Sequence, residues 1–111
     1  MTDREMLKLA AKAAGIEHPG GEHSRADDGR LWDCNGLRWW NPLTNDGDAL
    51  RLAVALRINI WVEKTLSIVE VCSNGDEPNL IKKEYCDAET QMAATRRAIV
   101  RAAAAIGETM P

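Results

Sequence analysis

The dipeptide Asn35-Gly36, set inside Leu31 to Trp40 (LWDCNGLRWW), constrains this chain more than any other feature. Both central residues of a type I′ turn need positive φ, and Asn-Gly meets that need at low steric cost. A two-residue hairpin closed there pairs Cys34 with Leu37, Asp33 with Arg38, and Trp32 with Trp39. Side chains alternate across a strand. Trp32, Cys34, Leu37 and Trp39 therefore share one face, and Asp33 with Arg38 forms an opposite-charge pair on the other. The apolar face reads as core. Phe is absent and Trp occurs four times, so the aromatic volume of the interior has to come from Trp.

Elements on either side of the hairpin follow from capping and periodicity. Thr2 and Glu5 have the spacing of a capping box, and Met6, Leu9, Ala10 and Ala13 recur at helical intervals. Gly15 supplies a left-handed terminus onto which Ile16 can fold, so a first helix spans about Asp3 to Ala14. Residues 17–30 are polar with Gly20-Gly21 and Asp28-Gly29, a surface loop. After the hairpin, Pro42 ends the strand, and Asn45, Asp46 and Asp48 suit a helix N-terminus. Ala49, Leu52, Ala53 and Leu56 form the stripe of a second helix, about Asp46 to Arg57. Ile58, Ile60 and Val62 alternate with Asn59, Trp61 and Glu63, the period of a half-buried strand. Ser67 to Cys72 gives the next strand, and Leu80 to Tyr85 a third at an edge. Asp87 caps a last helix that runs to Ile106 and stops at Gly107. Met92, Thr95, Ile99, Ala102 and Ile106 are its core stripe. Its alanines keep it thin.

The order αββαβββα predicts an α+β fold in one domain, residues 1–111, with a mostly antiparallel sheet sandwiched by helices in α/β/α layers. With 45% hydrophobic and 28% charged residues the chain has an ordinary globular composition. A net charge of −3 argues against a dedicated duplex nucleic-acid binder. No apolar run reaches the length of a membrane span, and the first residues lack a signal-peptide pattern. Cys34, Cys72 and Cys86 are an odd, widely spaced set, which fits free thiols in a reducing cytoplasm.

The chemistry-bearing motifs are thin. His18, His23 and Cys34 have no tight metal-ligand spacing, so no metal and no cofactor is expected. No nucleophile elbow, Walker loop or dinucleotide fingerprint is present, and no catalytic residue is assigned. Trp40 and Trp61 fall on the strand phases opposite to the expected core. Either the sheet is covered on both faces, or one of the two is exposed and serves as a platform for a base or a partner side chain. The best candidate site is the hairpin exit, where Trp40 and Asn41 meet the helix start at Asp46 and Asp48. A second candidate is Arg96, Arg97 and Arg101, read either as a solvated helix face or as a small-anion contact.

At WNPLTNDGDALRLAV (Trp40 to Val54) and AATRRAIVRAAAAIG (Ala93 to Gly107), with AAKAAGI (Ala10 to Ile16) in the same order, the chain resembles the phage ABA-sandwich domain family. The resemblance implies a helix–sheet–helix sandwich and an accessory gene of a phage or prophage, expressed in the bacterial cytoplasm. It implies no activity and no catalytic residue. Two functions are then open: a non-enzymatic binding protein that interferes with host defence, by occupying a host protein or sequestering a nucleotide-like ligand, or an assembly accessory that forms a homodimer through its Ala-rich helix.

Overall fold

The computed structural model describes residues 2–16, 31–33, 38–63, 68–73, 81–85 and 90–110. The first element is helix α1, Asp3–Ala14. Thr2 accepts the Glu5 amide at 3.2 Å and the Glu5 carboxylate accepts the Thr2 amide at 3.1 Å, so each end of the capping box satisfies an orphan donor. Gly15 adopts φ 72°, and the amides of Gly15 and Ile16 return to the carbonyls of Lys12 and Ala11. This is a Schellman turn. The buried face is rotated by about one position from the expected stripe: Leu7 and Ala11 are inside, while Leu9 and Ala13 are only half-buried.

Strands β1 (Leu31–Asp33) and β2 (Arg38–Trp40) pair antiparallel as Leu31 with Trp40, Trp32 with Trp39, and Asp33 with Arg38. That is the register of a two-residue turn; the turn itself, with Asn35, Gly36 and Cys34, lies outside the described residues. The face is the reverse of the expected one. Leu31 is fully buried and Trp40 is 2% exposed, whereas Trp39 is 37% exposed. Both phases of β2 carry a Trp, so alternation alone could not choose between them. The closing pair Leu31–Trp40 went inward.

Helix α2, Asp46–Ala55, starts from Asn45, whose side chain accepts the Asp48 amide at 2.8 Å. Ala49, Leu52 and Ala53 are buried as their spacing requires. Arg57, at φ 55°, reverses the chain into β3 (Ile58–Glu63) from a left-handed conformation seldom taken by residues other than glycine and asparagine. A separate three-stranded antiparallel sheet then runs β3–β4–β5, with β4 at Ile68–Ser73 and β5 at Ile81–Tyr85. Ile60 pairs with Val71 and Val62 with Val69. Val69 and Val71 are fully buried, which identifies the face turned toward the helices.

Helix α3, Gln91–Thr109, packs against that sheet, against α2 and against α1. Ala98, Ala102 and Ala103 are fully buried; short side chains let helix axes approach closely. Asp87 lies outside the described residues, and Thr90 occupies the N-cap position. Gly107 does not stop the helix, as its residue type suggested. It is buried within α3, where a Cβ would overlap the Leu9 carbonyl of α1. Met92, expected in the core stripe, is 56% exposed. The α+β class and the element order are as the sequence reads.

Gly107→Ala should lower stability by about 2–3 kcal/mol, because the methyl forces apart two backbones that small residues hold together. Chemical denaturation of the variant measures this. An unchanged midpoint would remove the close α1–α3 approach from the account.

Candidate functional site

The hairpin exit is built as a closed knot of hydrogen bonds. Asn41 is 4% exposed; its side-chain oxygen accepts the Leu43 amide at 2.9 Å, and its carbonyl accepts the amides of Thr44 and Asn45. Short polar residues favour this kind of local turn. Asp48 lies within the first turn of α2, and its side chain is 6% exposed. One carboxylate oxygen accepts the buried Asn41 amide at 3.0 Å. The other accepts Arg51 Nη2 at 2.8 Å and lies 3.9 Å from Arg38 Nη1. Both arginines keep about half of their side chains in solvent. A buried carboxylate is tolerated when each oxygen is hydrogen-bonded and a cation is near.

Three of the residues expected to form a binding surface are therefore interior. Asn41 and Asp48 spend polar atoms on joining the hairpin to α2, and the buried Trp40 offers no platform. The physical reason is the reversed hairpin face, which carries Trp40 inward and draws Asn41 with it.

Asp46 is exposed and ion-paired with Arg96 Nη1 at 2.6 Å, while Arg96 Nε donates to the Leu43 carbonyl at 2.9 Å. Arg96 thus clamps α3 to the start of α2. Arg97 pairs with Asp3 at 3.0 Å, across to α1. Arg101 is half-buried on the same helix. Arg96 and Arg97 are turned to different helices and do not converge as an anion fork would require.

Trp61 is the site residue that the structure leaves open, at 71% exposed. It stands on β3 opposite Glu70, on the sheet face away from Val69 and Val71. Beside it, on the other phase, Ile60 and Val62 are also exposed. Ile60 lines an apolar groove of about 230 Å³ shared by α2, β3 and α3. Ala49, Leu50, Met92 and Ile99 make its walls, and the Asp46–Arg96 pair stands at its rim. Leu50 is 61% exposed, and Val54, one turn further along α2, 69%. Sequence reasoning missed this region because Leu50 and Val54 lie off the stripe of Ala49, Leu52, Ala53 and Leu56 that defined the helix. A signal was there: both flank the stripe on one side, and the next strand carries Trp61 on its otherwise polar phase.

No cluster of metal-ligating side chains occurs among the described residues; His18, His23, Cys34 and Cys86 lie outside them. Cys72 is half-buried, with Asn59 Nδ2 at 3.7 Å from its sulfur. No helix among the described residues is long and apolar enough to cross a membrane. Comparison with models of protein families, with curated proteins and with solved structures finds no match to this chain.

Asp48→Ala should cost about 2–4 kcal/mol, since it strands the buried Asn41 amide and empties the space around it. Asp48→Asn keeps an acceptor for that amide and should lose less. Thermal denaturation of the pair gives the order; equal losses would show that the Asn41 hydrogen bond contributes nothing.

Proposed function

We propose that this chain is a non-enzymatic binding protein that works by protein–protein contact through the apolar surface of α2 and β3. The observation that carries the reading is the groove of Leu50, Ile60 and Met92 with Val54 and Val62 exposed beside it, and Trp61 exposed on the other face of the same strand. Exposed apolar residues gathered on adjacent elements mark contact surfaces, whereas isolated ones are ordinary. An exposed aromatic on the strand that borders such a patch is a further candidate anchor.

The nucleotide-sequestering variant of this function draws less support. Its arginines are engaged within the fold, Arg96 with Asp46 and the Leu43 carbonyl, Arg97 with Asp3. Self-association through the Ala-rich helix is likewise disfavoured, because Ala98, Ala102 and Ala103 are consumed in the interior. What supports a phage accessory protein acting on a host protein in the bacterial cytoplasm is the resemblance of Trp40 to Val54 and Ala93 to Gly107.

Capture from host lysate on the immobilised protein should retain a host protein. Leu50→Asp and Met92→Glu, both at exposed positions, should release it by roughly tenfold or more in affinity. Calorimetry with cyclic and linear nucleotides should show no heat of binding. Saturable nucleotide binding, with capture indifferent to both substitutions, would reverse the assignment.

A further inference from the structure

The sheet order places β3 at an edge, and among the described residues no strand lies on its side away from β4. Asn59, Ile60, Trp61 and Val62 are all exposed in succession. A strand covered on one face would show alternate burial, as β4 does at Val69 and Val71. Here both phases are open, and three of the four residues are large and apolar. Exposed apolar edges are strongly prone to pair with another strand, and proteins commonly blunt them with charge, proline or a covering element. From Ile58 to Val62 this edge carries neither charge nor proline.

We propose that a second copy of this chain pairs with it antiparallel along β3, with the two-fold axis at Trp61. The proposal rests on reading the α2–β3 surface as a contact surface, and names its first occupant. That axis sets Trp61 opposite Trp61 of the second copy, Ile60 opposite Val62, and Asn59 opposite Glu63. No like charges meet, and aromatic and β-branched cross-strand pairs are the favourable ones in sheets. A two-fold axis perpendicular to the sheet keeps the helices of both copies on one side. Leu50 and Val54 of α2, which neighbours β3, then approach their counterparts across the axis.

The area is of the right size. From their fractional exposures, Leu50, Val54, Ile60, Trp61 and Val62 together present on the order of 500 Å² around this edge, spread over both faces of β3 and the neighbouring helix. The backbone of the strand adds to this and brings it toward the roughly 800 Å² per partner of a standard interface. The product is one six-stranded antiparallel sheet in place of two edges.

Sedimentation velocity over a wide concentration range tests the pairing with Trp61→Lys and Trp61→Glu. The exposure of Trp61 allows either side chain without disturbing the fold, which circular dichroism checks. The wild type should be a dimer. Each variant alone sets like charges across the axis and should move the monomer–dimer midpoint up by at least about tenfold. An equimolar mixture of the two should restore the dimer. A wild-type protein that stays monomeric overturns the proposal, as does a dimer that survives both substitutions or variants that fail to re-pair on mixing. A monomer that still captures a host protein through Leu50 and Met92 would overturn self-pairing alone and leave the contact-surface reading standing.

Discussion

Everything in this fold is arranged around a thin helix. α3 contacts α1, α2 and all three strands of the larger sheet, and it can do so because six of its eight buried positions are alanine or glycine, with Ile99 and Val100 the exceptions. Long side chains there would hold each neighbour several ångströms further off and open voids too small for water, at the expense of dispersion contacts. With Ala98, Ala102 and Ala103 the neighbours close directly on the helix backbone. Val69, Val71 and Leu31 of the strands, with Val100 of α3 itself, supply larger fully buried side chains. Gly107 is the extreme of the same rule. There even a methyl would not fit against α1.

The polar knot at the hairpin exit performs a different task. A two-stranded hairpin is marginal by itself in water, and among the described residues β1 and β2 do not join the β3–β4–β5 sheet. Trp40 anchors the hairpin by burial, and Asp48 fixes its direction by accepting the Asn41 amide. Arg51 and Arg38 keep the carboxylate near positive charge while reaching solvent themselves. The Arg96 clamp then ties that same corner to α3. Charged residues that looked available for ligands are, in large part, the means by which four elements keep their relative positions.

Much of the fold was legible in the sequence because its signals were local. The capping box at Thr2, the Schellman glycine at Gly15, the hairpin register and the Asn45 cap each depend on a few neighbouring residues. The failures share a cause. Which face of the hairpin turns inward, and whether Gly107 ends a helix or admits a neighbour, are decided by elements far away in the chain. Trp39 and Trp40 are adjacent, and local chemistry treats them alike. The candidate site divides the same way: Trp61 emerged where its phase placed it, while the groove beside it needed the packing of α2 on α3 to exist at all.

The ion pair between Asp3 and Arg97 joins residues 94 positions apart, and the whole of α1 packs on a helix made that much later. Loop closure over such a span is entropically costly and slow relative to local structure. During synthesis α1 therefore waits. A helix of 12 residues is marginal in water, and before α3 leaves the ribosome the caps at its own two ends support it. The capping at both ends of α1 has a consequence for the order of assembly: it favours the helix, ready to dock, through the interval before α3 arrives to cover its apolar face.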